Sequence, residues 1–236
     1  MEVYKFGGAS VCDAKSIQNM AELIKQSPAS PLLVVVSAMG KITDKLVALS
    51  QAYINHDTTV HSLLDDIKAY HFNILQELFP QGPQSVYDDL ANVFVEIEWL
   101  LEEEASDAPD YIYDQIVSIG EIASTKIVAA YLLQIGINVS WADARNFIHT
   151  DNSYKEAVVD WTKTAEEIQR NLLPQLQKSI VITQGFIGST SENFTTTLGR
   201  EGSDYSAAIF TSCLNASSLT IWKDVPGVLN ADPKWF

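Results

Sequence analysis

The stretch Thr196–Ala208, TTLGREGSDYSAA, sets Arg200, Glu201, Ser203 and Asp204 among glycines, directly before a run of small helix formers. A guanidinium at Arg200 can grip a carboxylate through two parallel hydrogen bonds. A helix beginning here offers free N–H groups to an anion, and Ser203 or Asp204 is the natural cap. Asp204 fits three roles: capping, orienting a Mg²⁺-bound phosphate, or accepting a proton. The bland alternative is a capped loop carrying a surface Arg–Glu pair.

Five further stretches have comparable chemistry. YKFGGAS puts Lys5 at the end of a strand, followed by Gly7 and Gly8. A Gly-Gly turn lets backbone approach a phosphate, and Lys5 supplies a mobile point charge; a plain turn with a surface lysine competes. VVVSAMGKITDKL repeats the arrangement with Ser37, Gly40 and then Thr43 and Asp44, both natural N-caps. SIGEIAS places Gly120 and Glu121 inside a helical run. A helical glycine costs about 1 kcal/mol relative to alanine, which suggests that something approaches closely and leaves Glu121 free to meet an amino group. ITQGFIGS ends a strand with Gly185, Phe186 and Gly188, and WKDVPGVLNADPK gives Lys223 and Asp224 before a Pro-Gly turn, with Asp232 and Lys234 beyond. A polar pair there suits a ribose or base.

The elements that must position these groups follow from the apolar pattern. Strands are expected at Glu2–Phe6, Pro31–Ala38, Ile137–Ala144, Ser179–Ile187 and Ser218–Val225, four of them near-continuous apolar runs. Such runs fit strands covered on both faces, as in a parallel sheet. Helices are expected at Ala14–Gln26, Thr43–Asn55, Ala165–Gln177 and Asp204–Asn215. This alternation predicts an α/β doubly wound domain. Residues from about 57 to 136 break the rhythm as a helical excursion, with a long helix over YIYDQIVSIGEIASTKIVAAYLLQIG capped at Gly136. In a parallel sheet the strand ends share one edge, where ligands bind. Most of the charged or glycine-rich turns fall on that edge, which favours one phosphate-plus-carboxylate site over scattered turns.

The 236 residues are enough for one sizeable core. With 30 acidic and 15 basic residues, the net charge of −15 argues against nucleic acid and anionic membrane as partners. An anionic ligand must therefore be held by local cations and N–H groups. Cys12 and Cys213 form no metal pattern and read as free thiols of a cytoplasmic protein; no residue is singled out as a metal ligand. The N-terminus lacks signal-peptide features. The chain ends at NADPKWF just past a strand, so an incomplete domain is expected.

In order along the chain, KFGGAS, SAMGKITDKLVAL, SIGEIAS, VITQGFIGS with TTLGREGSDYSAA, and IWKDVPGVLNADPK resemble the motifs of the aspartokinases, of the amino acid kinase family. Only about 55–110 is unspecific. The resemblance implies a three-layer α/β/α sandwich around an eight-stranded, mainly parallel sheet, with residues 1–236 as the catalytic domain. It implies phosphorylation of L-aspartate by ATP with Mg²⁺ to 4-phospho-L-aspartate, the first step toward lysine, threonine and methionine. It implies that Lys5 contacts the transferring phosphate and Asp204 organises the centre. Arg200 would hold a substrate carboxylate, Glu121 the amino group, and Ser37, Thr43, Phe186 and Ser203 would line the pocket. Lys5, Gly7, Gly8, Lys223, Asp224, Leu229 and Lys234 would lie along the nucleotide. It further implies paired ACT regulatory domains beyond this sequence and homo-oligomers formed through them.

Four positions depart from the family pattern: Ala9 for Thr, Glu201 for Gly, Lys223 for Thr and Lys234 for Arg. Ala9 removes a hydroxyl from the phosphate loop, and Glu201 either pairs with Arg200 or points to solvent. Two other functions remain open on the residues: a kinase for glutamate or carbamate, and a fragment that binds substrate without turnover. Arg200 with Glu121 favours an α-amino acid.

Overall fold

The computed structural model describes residues 1–27, 31–103, 108–223 and 227. The apolar runs become strands β1 (Glu2–Phe6), β2 (Leu32–Val36), β3 (Val139–Ala142) and β4 (Ile180–Gln184). A short hairpin follows, β5 (Ile187–Ser189) and β6 (Thr195–Thr197), and then β7 (Ser218–Trp222). Outside the hairpin, the strands form one sheet in the order β3-β4-β2-β1-β7, with every pairing parallel. All of β2 is buried, as a strand covered on both faces must be. β7 is only half-buried because it is the outer strand of the described sheet, and Ile221 is left 42% exposed there. Among the described residues the main sheet has five strands, against the eight that the resemblance implies.

Helices α1 (Ala14–Gln26) and α2 (Ile42–Ile54) follow the first two strands. The excursion is four helices: α3 (Val60–Leu78), α4 (Gln84–Glu102), α5 (Pro109–Val117) and α6 (Ile119–Gln134). The single long helix expected over 111–136 is therefore two. The break falls at Ser118, whose hydroxyl donates back to the Gln115 carbonyl at 3.1 Å and competes with the regular ladder. The run Pro109–Gln134 is apolar and long enough to cross a bilayer, but 78% of its most apolar window is packed inside the fold. Gly136 ends it at φ +83°, as its cap position requires.

The helix expected from Ala165 begins earlier, as α7 (Trp161–Glu167), with Asp160 accepting from the Lys163 N–H at 3.0 Å. It widens into a π-turn (Ile168–Leu172) before α8 (Leu173–Leu176). Pro174 explains the widening, since it has no N–H for an ordinary helical bond. The last helix is α9 (Gly202–Cys213).

Right-handed crossovers set the layers. β1-α1-β2 and β2…α6-β3 run one way across the sheet, while β3-α7/α8-β4 and β4…α9-β7 run back. α6 packs on β2, β3 and β4, and α9 packs on β1, β2 and β7. The result is a three-layer sandwich in which the connections leaving β2 and β4, neighbours in the sheet, run in opposite directions. A doubly wound sheet opens a crevice at that reversal.

Candidate active site

The crevice at the carboxyl ends of β1, β2 and β4 is a cleft of about 560 Å³. Its walls include Lys5, Gly8, Ser37, Thr43, Glu121, Phe186, Arg200, Ser203 and Asp204. Each of these was singled out on sequence, and the fold brings them together from five separate segments. Gly7 and Lys223 lie beside them, Lys223 Cγ about 4.0 Å from where a Cβ on Gly7 would stand. Asp224, Leu229 and Lys234 lie outside the described residues.

Lys5 is no surface lysine: it is 4% exposed, because the last turn of a central strand carries it under α9. Its ammonium lies 2.7 Å from Asp204 Oδ1, and Lys223 lies 2.7 Å from Asp204 Oδ2. Burial pushes the Asp204 carboxyl up, but hydrogen bonds and charge from Lys223 and Lys5 outweigh it and hold the group below the usual carboxylate range. The hydrogen bond to Asp204 in turn raises Lys223. Asp204 is thus a fixed anion between two cations and a poor proton acceptor.

The expected caps are different. α9 starts from Glu201 in the left-handed region at φ 56°, with no side-chain cap, and the turn is closed by Gly202 N–H donating to Gly199 O at 3.0 Å. Ser203 and Asp204 sit inside the first turn, which frees their side chains for the cleft. Likewise α2 starts from Lys41 rather than Thr43 or Asp44, because Gly40 at φ +54° turns the chain into the helix before them. Glu201 pairs with Lys223 at 3.4 Å rather than with Arg200.

Two glycines record close approach. A Cβ on Gly8 would lie 2.7 Å from Ala38 O and 3.0 Å from Gly40 O, so the loops after β1 and β2 touch only because residue 8 has no side chain. A Cβ on Gly120 would lie 2.9 Å from Leu46 and 3.0 Å from Ala38. Gly120 lies in the first turn of α6, and its bareness lets that helix reach the cleft floor.

The reach matters because it delivers Glu121, 2% exposed, to the cleft. Its Oε1 accepts the Ala38 N–H at 3.3 Å, while Oε2 is buried with no hydrogen-bond partner among the described residues. Desolvation pushes this carboxyl up to about 8; the Ala38 N–H, its own backbone N–H and the charge of Lys5 offset only part of that. An acid held in this way is completed by a cation.

Phe186 stands at φ 70° with its N–H donating to Ser206 Oγ at 2.8 Å. Sequence reasoning missed Tyr113, Lys155 and Glu156, which also line the cleft. Residues 155 and 156 arrive on a loop between β3 and α7 that has no strand, helix or glycine signal. Their position depends on the β5–β6 hairpin, whose three-residue strands are too short to read from alternation.

The family model for the amino acid kinase family matches residues 1–236. Lysine-sensitive aspartokinase 3 of Escherichia coli (strain K12) is 37% identical over 232 residues, which cover 98% of this chain and 51% of that protein. A chloroplastic bifunctional aspartokinase/homoserine dehydrogenase 1 of Arabidopsis thaliana is 32% identical, covering 98% of this chain and 26% of that protein. The chain therefore spans about half or less of the length of these relatives. Among solved structures, E. coli aspartokinase III in complex with aspartate and ADP is similar, with a TM-score of 0.91 at 36% identity, covering 99% of this chain and 51% of that one. An isopentenyl phosphate kinase, at 13% identity and a TM-score of 0.54, shares the fold alone.

Proposed function

The chain belongs to the amino acid kinase family, and from that premise we propose that it transfers the γ-phosphoryl group of ATP to the side-chain carboxylate of L-aspartate, giving 4-phospho-L-aspartate and ADP. The observation that carries the proposal is the buried Glu121 oxygen without a partner among the described residues, in one cleft with Lys5 and Arg200. An α-amino acid supplies both an ammonium for Glu121 and a carboxylate for Arg200. The aspartokinases named above, one of them holding aspartate and ADP, support aspartate as that amino acid.

The reaction needs positioning and charge neutralisation more than covalent chemistry. The attacking carboxylate oxygen is already anionic near neutral pH, so no general base is required. It forms the new O–P bond as the bond from the γ-phosphorus to the ADP oxygen breaks. Lys5 neutralises charge on the transferring group, and Asp204 holds Lys5 and Lys223 in place. Gly7 and Gly8 open the backbone to phosphate, and Ser37, Thr43, Phe186 and Ser203 line the amino-acid side.

Mg²⁺ fits as the companion of ATP rather than as a resident ion. No cluster of three metal-ligating side chains exists among the described residues, and a phosphate-bound Mg²⁺ asks for only one or two carboxylates. Asp204, the cleft carboxylate paired with Lys5, would hold it, and the ion would supply charge neutralisation. The two free thiols support a reducing, cytoplasmic setting.

The test is ADP release from Mg-ATP with L-aspartate, L-glutamate or no amino acid, in the full-length protein and in this 236-residue chain. Aspartate-dependent turnover in the full-length protein is expected. Turnover with glutamate instead, or none at all, would sink the assignment. Lys5→Ala should lower kcat far more than it weakens aspartate binding, and equal losses would remove Lys5 from the transfer step.

A further inference from the structure

We propose that Lys155 is a second cationic contact for the substrate carboxylate that receives no phosphate, acting beside Arg200; this rests on the amino-acid-kinase reading of the cleft. Residues 156 and 198 are antiparallel bridge partners, and the Ala157 N–H donates to Thr197 O at 3.0 Å. That register puts Lys155 across from Gly199, next to Arg200. Lys155 O lies 3.5 Å from where a Cβ on Gly199 would stand.

The backbone at Lys155 is held in an unfavourable state. Its φ is 68°, a region that costs any residue with a Cβ. Two contacts impose it. Both oxygens of the fully buried Asp114 accept the Lys155 N–H, at 3.1 and 3.0 Å, and the Lys155 carbonyl accepts from Thr197 Oγ1 at 3.3 Å. Strain that is over-determined by its surroundings gathers at ligand sites. Here it aims a lysine along the cleft wall, with the ammonium 5.0 Å from the Tyr113 ring centre.

The ammonium rests on Asp110 at 2.5 Å, a carboxylate 59% exposed. An exposed pair of this kind is weak and exchangeable. Asp110 therefore acts as a placeholder that a substrate carboxylate displaces. The exchange is useful in a chain of net charge −15, where a dicarboxylate must be drawn in against the overall field.

The test uses Lys155→Gly and Lys155→Arg in the full-length protein. Glycine accepts φ 68° without strain, so the first variant keeps the fold while removing the ammonium. KM for L-aspartate should rise about 10-fold or more while kcat holds, and Lys155→Arg should restore it. With the α-carboxamide of aspartate, wild type and Lys155→Gly should bind alike. An unchanged KM for aspartate, or an equal loss toward the amide, would overturn the role of Lys155. Absence of aspartate turnover in the wild type would instead remove the parent reading, and this inference with it.

Discussion

Replacing Glu121 with glutamine tests the physical heart of the site. Burial lifts this carboxyl from its ordinary 4.5 to about 8. The folded chain thus holds the proton more tightly than the unfolded chain does. The stability linked to Glu121 is complete below its unfolded value of 4.5 and is lost as pH rises through about 8. The gap corresponds to at most about 5 kcal/mol. Glutamine keeps the shape and never ionises. Without ligand, Glu121→Gln should match the wild type near pH 4.5 and exceed it by roughly 3–5 kcal/mol above pH 8. In a chain of this size that is a Tm difference of about 10 °C. Thermal unfolding of the unliganded chain across this pH range reads the difference directly. Ligand binding runs the other way, because the ammonium of an amino acid needs the ionised acid. Wild-type aspartate affinity should improve about 5-fold from pH 7 to 8 and about 2-fold more before levelling off. Glu121→Gln should bind weakly at every pH. A stability difference that stays constant with pH would refute the idea that Glu121 is a buried acid awaiting a cation.

Other positions give sharper structural outcomes. Asp114→Ala strips the Lys155 N–H and the Thr197 N–H of their acceptor and leaves the Thr197 hydroxyl only the Lys155 carbonyl. At about 1–3 kcal/mol for each donor left buried, it should destabilise the chain by at least about 2 kcal/mol in denaturant titration. Gly8→Ala drives a methyl into the Ala38 and Gly40 carbonyls; it should reduce ATP affinity and turnover together, as measured by nucleotide titration and ADP release.

The sheet was legible because a strand buried on both faces must be apolar almost throughout, and LLVVV of β2 and IVITQ of β4 are nearly so. α1 falls on its expected bounds because its apolar residues recur at helical spacing and Asp13 caps it at 2.7 Å. Most of the glycine and charge motifs were legible for a related reason: they sit where a strand must stop, whereas SIGEIAS sits where one helix gives way to the next. Helix starts were less so, since Glu201 and Lys41 begin helices through backbone turns rather than through a capping side chain.

By itself, then, the sequence determined the alternation of strand and helix, the common edge of the strands, and the chemical kinds gathered there. Tertiary structure alone decided their electrical state. Lys5 reads as one charge among many until a central strand buries it against Asp204. Glu121 reads as an ordinary acid until Gly120 lets α6 close over it. Lys155 has no signal until Asp114 and a hairpin of two three-residue strands, Ile187–Ser189 and Thr195–Thr197, fold it toward Arg200. Desolvation and ion pairing depend on distances between segments far apart in the chain, and no local pattern encodes those distances.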